Sequence, residues 1–304
     1  MQIGEYRIID RLGIGGSGEI YRAHHQSSKP QEIVVIKRLL AKLRSDALAR
    51  DQFLIEADLG RRLMHPNLIR QLAFGLEDEE LFLVLQYVDG PNLFTLLNTL
   101  RARSMQPAGY VAGYIIAQVL EGLHFAHELK GADESYLGLV HRDVNPHNIL
   151  LSYHGGVVLA DFGVARLQGL EGGRAEEAAF GKLGYLSPEQ LHGKPIDRQT
   201  DVFACGVLAY ELFVGIHPFV MQGDSDEDVS KRILDGEFPD PNLAVPNLPK
   251  GIGDILRKAL QVKHKKRFAT AMEMKQALSR FVPNIRESRL ALSHQLHQLF
   301  PQVT

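Results

Sequence analysis

Residues 141–148 of this chain read His-Arg-Asp-Val-Asn-Pro-His-Asn, and residues 161–163 read Asp-Phe-Gly. The first stretch supplies Asp143, which can orient a hydroxyl group, and Asn148, which can hold a divalent cation. The second stretch supplies Asp161 for the cation. Transfer of a γ-phosphoryl group depends mostly on positioning and on charge neutralisation, and these residue types provide both. Either stretch alone is a weak signal, but the two together and in this order indicate phosphoryl transfer.

Upstream, residues 13–20 read Gly-Ile-Gly-Gly-Ser-Gly-Glu-Ile. Glycines lack a Cβ atom, so backbone N–H groups in such a loop can approach phosphate oxygens closely. A cluster of this kind also fits a dinucleotide site, in which the loop opens directly into a helix. Here residues 19–23 continue as a strand pattern, and Lys37 follows the β-branched run 33–36. Both observations argue against the dinucleotide site.

Strand patterns dominate the first third of the chain, and helical patterns dominate the rest. A charged helical pattern covers about residues 45–64, and residues 81–85 have the pattern of a buried strand. Further helical patterns occupy residues 110–129, 201–214, 253–262 and 269–281. The sequence therefore predicts an α+β fold with a small β-rich lobe at residues 1–88, a larger helical lobe at 89–282 and a C-terminal helical tail at 283–304.

The tail has leucines at roughly helical spacing, namely Leu290, Leu292, Leu296 and Leu299. A helix packed on the larger lobe and a docking helix for a partner both fit this pattern, and the sequence leaves both open.

The composition excludes several classes of protein. With 304 residues, of which 45% are hydrophobic and 23% charged, the chain has ordinary globular values. The formal net charge of -2 gives no general attraction to nucleic acid or to an anionic membrane. We expect the acidic stretch 224–228 to be a solvated loop.

Cys205 is the single cysteine, so the chain cannot form an internal disulfide. It lies in the apolar run 202–216, where a small buried side chain is the ordinary interpretation. That run is too short for a membrane span and contains Glu211, and the N-terminus lacks the pattern of a signal peptide. These features predict a soluble cytoplasmic chain.

Taken together, the stretches resemble the protein kinase superfamily, and the resemblance covers residues 6 to about 282. The sequences of residues 184–190, Gly-Tyr-Leu-Ser-Pro-Glu-Gln, and of residues 201–206 resemble those of bacterial Ser/Thr protein kinases of eukaryotic type. The resemblance implies a bilobal kinase fold, Mg²⁺ and ATP as cofactors, and a protein substrate phosphorylated on Ser or Thr. A regulatory partner is possible, and nucleic acid is not expected. A pseudokinase that serves as an ATP-binding scaffold is the alternative, and a small-molecule kinase is a third.

The resemblance also implies roles for individual residues. Asp143 would orient the substrate hydroxyl, Lys37 would contact the ATP phosphates and pair with Glu56, and Asn148 and Asp161 would bind magnesium. The residues that would hold ATP, besides Lys37, are Leu12, Gly13, Ile14, Gly15, Gly16, Ser17, Gly18, Ile20, Val35, Leu85, Gln86, Val88 and Leu150. Among these, Leu85 would be the gatekeeper, and backbone groups near Gln86 and Val88 would bond adenine. Arg267 is placed to pair with Glu189.

Two positions depart from the family pattern: one lacks the usual cation, and the other has a cation in place of an uncharged residue. Asn145 stands where Ser/Thr kinases usually carry a lysine that meets the γ-phosphate, and Lys182 stands where they usually carry a threonine. In the family's fold these positions face each other across the catalytic aspartate. This suggests the hypothesis that Lys182 replaces the missing lysine and is itself a catalytic residue.

Other departures concern regulation and specificity. Between Asp161 and Tyr185 the sequence has no Ser, Thr or Tyr, so phosphorylation cannot activate that stretch, although Arg142 is retained. Glu171, Glu176 or Glu177 could supply a standing negative charge instead. Gly60 stands where the family places a large apolar residue, and Asn92 and His147 stand where acidic residues read arginine in basophilic relatives.

Overall fold

The computed structural model describes residues 1–14, 18–27, 32–77, 80–162 and 182–301. These residues form two compact units. The first unit contains the residues up to 89 together with Asp161 and Phe162, and the second contains residues 90–160 and 182–301. Several residues named above lie outside the described ranges: Gly15, Gly16, Ser17, Gly163, Glu171, Glu176 and Glu177.

The first unit is built on an antiparallel sheet with one long helix. The sheet has six strands in the order β1-β2-β3-β4-β6-β5. The strands are β1 (Gln2–Ile3), β2 (Tyr6–Ile14), β3 (Gly18–His25), β4 (Ile33–Leu39), β5 (Gln71–Glu77) and β6 (Glu80–Gln86), and the helix is α1 (Ala47–Arg62). The predicted strands 33–36 and 81–85 and the predicted helix are all present.

The alternation of side chains along β4 determines which of its residues face helix α1. Val34 and Ile36 point into a buried cluster with Tyr21 and Val84 on one face of the sheet. Leu39 belongs to the other cluster, in which Phe53 of α1 is packed. Because strand side chains alternate with a period of two, Lys37 shares the face of Leu39 and points toward the helix.

The side chain of Asp46 caps the N-terminus of helix α1. The Asp46 side chain accepts hydrogen bonds from the N–H groups of Leu48 and Ala49, which are among the donors that a helix start leaves unpaired. The helix ends at Arg62, before Pro66, as the helical pattern predicts.

The second unit is mainly helical, and its described residues also contain a two-stranded hairpin. The elements are α2 (Leu93–Ala102), α3 (Gly109–His127), β7 (Ile149–Leu151), β8 (Val157–Leu159), α4 (Pro188–Leu191), α5 (Arg198–Val214), α6 (Asp226–Asp235), α7 (Pro241–Ala244), α8 (Ile252–Ala259), α9 (Ala271–Leu278) and α10 (Ile285–Leu299). Helix α5 is buried at every residue from Thr200 to Val214, including Cys205. The prediction of a buried core helix in this run is confirmed.

The tail forms the helix α10, which packs on the second unit itself. Leu292, Leu296 and Leu299 are buried, whereas Leu290 is 61% exposed. The reason is the helical period, which places Leu290 on the opposite side from Leu292. The Ser293 hydroxyl donates to the carbonyl of Tyr153, beside the β7–β8 turn.

Residues 225–228 are exposed, as predicted, but the prediction of a loop was wrong for residues 226–228, which begin helix α6. Ser225 caps helix α6, and its side chain and that of Asp228 bond each other's backbone N–H groups. Acidic side chains suit this first turn because the helix N-terminus carries partial positive charge. Asp224, just before the cap, forms two hydrogen bonds with Arg232 on the same helix.

Within the described ranges, no helix is both long and apolar enough to cross a membrane.

Candidate active site

In the first unit, Lys37 lies between two carboxylates. Its Nζ atom is 2.6 Å from Oε1 of Glu56 and 2.9 Å from Oδ1 of Asp161. Lys37 is only 6% exposed. Burial opposes the charge on Lys37, but the carboxylates of Asp161 and Glu56 outweigh burial and raise the Lys37 pKa. Lys37 therefore stays a cation at neutral pH, as a phosphate contact requires.

The backbone around Asp161 is held in an unusual conformation. Asp161 has a φ angle of 66°, in the left-handed region that residues other than glycine rarely adopt. The next side chain, Phe162, is buried. Such conformations cost about 1–3 kcal/mol and persist where the surroundings fix them. The carboxylate of Asp161 is accordingly aimed at Lys37 by its backbone and by the buried Phe162.

The strand register places the predicted nucleotide residues of the first unit on one face of the sheet. Ile20 pairs with Lys37 across β3 and β4, and Val35 pairs with Leu85 across β4 and β6. Residues directly opposite in an antiparallel pair point to the same face, and so do residues two apart on one strand. Ile20, Val35, Lys37 and Leu85 thus share one face.

The remaining predicted nucleotide residues lie along the adjoining strands. On β2, which also contains Gly13, Leu12 and Ile14 are 49% and 60% exposed, so these apolar side chains remain available to a ligand. A Cβ atom at Gly18 would lie 2.9 Å from the carbonyl oxygen of Arg38, which leaves room only for glycine. Gln86 ends β6, Val88 follows it, and Leu150 lies in β7 of the second unit.

In the second unit, a buried carboxylate fixes the loop at residues 141–148. Asp201 of α5 accepts hydrogen bonds from the backbone N–H groups of His141 and Arg142, both at 2.9 Å, and lies 2.8 Å from Nε2 of His127. Burial favours the neutral acid, but the bond to His127 and the other contacts outweigh burial and lower the Asp201 pKa. Arg142 has a φ angle of 69°, so the loop turns sharply just before Asp143.

Donor groups surround the side chain of Asp143. Asn145 donates from Nδ2 to Oδ1 at 2.7 Å, and Asn148 donates from Nδ2 to Oδ2 at 3.1 Å. Lys182 donates from Nζ to Oδ2 at 2.7 Å. The structure therefore brings Asp143, Asn148 and Lys182 together, and the exceptional Asn145 belongs to the same cluster. These contacts fix the orientation of the carboxylate.

The residues that follow Lys182 are anchored in the core. Tyr185 is buried, and its hydroxyl donates to the buried carboxylate of Glu211. Glu189 and Arg267 form a buried pair with two hydrogen bonds, which is the pairing that the resemblance implied. The anchored segment holds the backbone next to Lys182, whose ammonium group bonds Oδ2 of Asp143, whereas Asn145 bonds Oδ1.

Oxygen donors suited to magnesium are present. Because Asn148 uses its Nδ2 group to bond Asp143, its Oδ1 oxygen is directed elsewhere as a ligand. Carboxylate and amide oxygens suit Mg²⁺, which usually has few protein ligands and completes its shell with water and phosphate. Within the described residues, no group of three or more His, Cys, Asp or Glu side chains could hold a metal ion. The residues present fit Mg²⁺ brought with a nucleotide.

Two contacts near the site had no signal in the sequence. The ring of Phe94 stacks on that of His147, with centroids 4.0 Å apart. The side chain of Gln71 occupies the space that Gly60 leaves on α1. Both pairs join residues from separate elements, and neither belongs to a local motif.

A β-sheet unit with a buried lysine–glutamate pair and a helical unit with this aspartate cluster define a protein kinase domain. Residues 6–279 match the family model described as "Protein kinase domain", and the chain belongs to that family. The α+β bilobal kinase fold predicted from the sequence is confirmed.

The chain is similar to several bacterial kinases. It is 34% identical over 281 residues to the tyrosine-protein kinase MasK of Myxococcus xanthus strain DK1622, which covers 92% of this chain and 43% of that protein. It is 29% identical over 279 residues to the probable serine/threonine-protein kinase PknB of Lactococcus lactis, covering 90% and 42%. It is 32% identical over 276 residues to the serine/threonine-protein kinase PknJ of Mycobacterium tuberculosis, covering 90% and 44%. The chain thus spans less than half the length of these relatives.

Proposed function

We propose that the chain transfers the γ-phosphoryl group of Mg-ATP to Ser or Thr hydroxyls of a protein substrate. The observation that carries the proposal is the Asp143 carboxylate, which three side-chain donors orient on a loop fixed by Asp201. A proton acceptor held in this way is what a hydroxyl nucleophile needs. The names of two of the similar proteins, both serine/threonine-protein kinases, favour the same acceptor class.

The reaction proposed for Asp143 is a single displacement. The hydroxyl oxygen of the substrate forms a bond to the γ-phosphorus while the bond from that phosphorus to the β–γ bridging oxygen breaks. The electron pair of the broken bond leaves with ADP, and the hydroxyl proton passes to the Asp143 carboxylate. Asn145 and Asn148 hold the carboxylate in place during this step.

Lys37 contacts the α- and β-phosphates in this proposal, and Glu56 keeps Lys37 extended. Asn148 and Asp161 bind Mg²⁺, which when bound neutralises charge on the phosphate oxygens. In this proposal Gly13 and Gly18 contribute to the phosphate site, and the face containing Val35 and Leu85 receives the adenine.

A scaffold without transfer activity is the rival from another class. The retention of Lys37, Glu56, Asp143, Asn148 and Asp161 argues against it, because a scaffold needs neither a proton acceptor nor a complete set of metal ligands. A tyrosine acceptor is the second candidate, and the name of the tyrosine-protein kinase MasK is the specific observation that favours it. We place the activity in the cytoplasm, where the reduced, buried thiol of Cys205 fits the redox conditions.

The test is transfer of label from γ-labelled ATP, with Mg²⁺, to a mixed protein substrate and to the kinase itself. Asp143→Asn keeps the shape and removes the proton acceptor, so we expect label with the wild type and almost none with this variant. Asp58→Asn, an exposed carboxylate on α1, is the matched control and should behave as the wild type. Acid hydrolysis of the product identifies the labelled amino acid. If the wild type binds ATP but transfers no label, the chain is a scaffold. If the labelled amino acid is phosphotyrosine, the acceptor is tyrosine and not Ser or Thr.

A further inference from the structure

Asp143 contacts a cation that comes from outside its own loop. Nζ of Lys182 lies 2.7 Å from Oδ2 of Asp143. Lys182 immediately precedes the short turn Leu183–Tyr185, and its carbonyl oxygen accepts a hydrogen bond from the N–H of Tyr185. Because Tyr185 is buried, the lysine backbone is fixed although its side chain is partly exposed.

Asn145, on the loop itself, cannot supply that charge. Its Nδ2 group donates to Asp143, and its Oδ1 atom accepts from the N–H of His147 at 3.0 Å. Both ends of this neutral amide are therefore committed to holding the loop in shape. Among the described residues whose contacts with the Asp143 side chain are given above, Lys182 alone is charged.

The side chains of Lys182 and Asp143 are exposed enough for a ligand to contact them. The side chains of Lys182 and Asp143 are 34% and 16% exposed, so the pair can be reached from solvent. An ammonium group has three N–H donors, and the Asp143 oxygen needs one of them. The same Nζ atom can therefore also donate to a phosphoryl oxygen that arrives beside Asp143.

We propose that Lys182 is a catalytic residue, whose ammonium group neutralises the transferring phosphoryl group beside Asp143. The inference rests on the proposed kinase function. While the acceptor oxygen bonds to phosphorus and the bridging oxygen leaves with ADP, negative charge is spread over the three equatorial oxygens. Lys182 donates to one of them, and Asp143 takes the hydroxyl proton. The charge that relatives place at residue 145 is in this chain supplied from residue 182.

The first test is Lys182→Thr, which restores the residue type usual at this position. Removal of one group that stabilises a transition-state anion typically lowers turnover by about 10²- to 10³-fold. We expect a loss of that order in kcat, with the dissociation constant for ATP changed less than about threefold. Full wild-type turnover in Lys182→Thr would overturn the proposal.

The second test moves the cation. We expect the double variant Asn145→Lys with Lys182→Thr to have at least about tenfold higher kcat than its matched control, Asn145→Met with Lys182→Thr. Both double variants lose the Asn145 amide and carry an unbranched side chain of similar length, so the main difference between them is the charge at position 145. A purely structural role for Lys182 predicts equal rates, and equal rates in folded proteins would overturn the proposal.

The wild-type transfer assay separates the two proposals. If the wild type transfers no label, the kinase function fails; if the wild type is active and the variants match it, only the role of Lys182 fails.

Discussion

Arg267 and Glu189 are joined by two hydrogen bonds inside the second unit. Nη1 of Arg267 lies 2.6 Å from Oε1 of Glu189, and Nη2 lies 2.8 Å from Oε2. The two residues are only 3% and 7% exposed. Burial raises the Glu189 pKa, but the bonds and charge of Arg267 outweigh burial and hold that pKa below its usual value. Glu189 therefore remains an anion that depends on Arg267 for compensation.

We expect Arg267→Met to lower the free energy of unfolding by about 3–5 kcal/mol, because it leaves a buried carboxylate without its cation. Urea denaturation followed by circular dichroism measures this change. Arg257→Met is the matched control, since Arg257 pairs with Asp240 and Asp254 at the surface and such pairs contribute only about 0–1 kcal/mol. Similar losses in the two variants would contradict this account.

Gly60 and Gln71 occupy one space on the inner side of α1. A Cβ atom at Gly60 would lie 2.1 Å from Oε1 of Gln71, whose Nε2 group donates to the carbonyl of Ala57 at 3.0 Å. The glutamine side chain thus fills the position where the family has a large apolar residue. This arrangement packs the helix that contains Glu56 without a side chain at residue 60.

Gly60→Ala should change stability by less than about 1 kcal/mol. Alanine improves helix propensity by about 1 kcal/mol, but it displaces Gln71 and removes a hydrogen bond of similar value. In the background Gln71→Ala the displacement cost disappears, so the same substitution should stabilise the protein by about 1 kcal/mol. A double-mutant cycle of unfolding free energies measures the difference, and purely additive effects would show that the two side chains do not compete.

His217 predicts an acid sensitivity of folding. Its Nδ1 atom accepts hydrogen bonds from the N–H groups of Phe219 and Val220, both at 3.0 Å. Burial, with a further contribution from the charge of Arg101, lowers the His217 pKa to about 3. The folded protein therefore keeps this ring neutral, whereas the unfolded chain protonates it below about pH 6.5.

The free energy of unfolding contains the full contribution of the neutral ring above pH 6.5. As the pH falls from 6.5 toward 3, the unfolded chain gains a proton that the folded protein does not bind, and this contribution is lost. At pH 5.5 the loss from this group is on the order of 1 kcal/mol. His217→Asn keeps an acceptor for the backbone but cannot be protonated, so its stability should fall less steeply between pH 6.5 and 5.5. Parallel pH profiles of unfolding free energy for the two proteins would rule out His217 as the source.

Local patterns predicted many of the elements. The period of the apolar residues predicted α1, the continuous apolar run 202–216 predicted the buried helix α5, and the β-branched run 33–36 predicted β4. The error at residues 224–228 arose because charge alone was considered, whereas Ser225 creates a helix start that favours acidic side chains.

The candidate site could be predicted from the sequence where its residues lie close together in the chain. Asp143 and Asn148 stand on one loop, so their order alone indicated their roles, and the family resemblance suggested Lys182 opposite them. The stack of Phe94 on His147 and the filling of the Gly60 position by Gln71 could not be predicted. These contacts depend on packing between separate elements, which a single sequence does not specify.

The stacked rings of Phe94 and His147 predict how the acceptor peptide is chosen. An uncharged aromatic pair, with Lys182 nearby, offers no partner for arginine, whereas a carboxylate would offer a bidentate one. On the proposed kinase function, we expect the wild type to show no preference for arginine near the acceptor and His147→Glu to gain one of about tenfold in kcat/KM. A positional peptide library measures both, with His147→Gln as the matched neutral control. Equal arginine preference in the glutamate and glutamine variants would show that this ring pair does not contact the substrate.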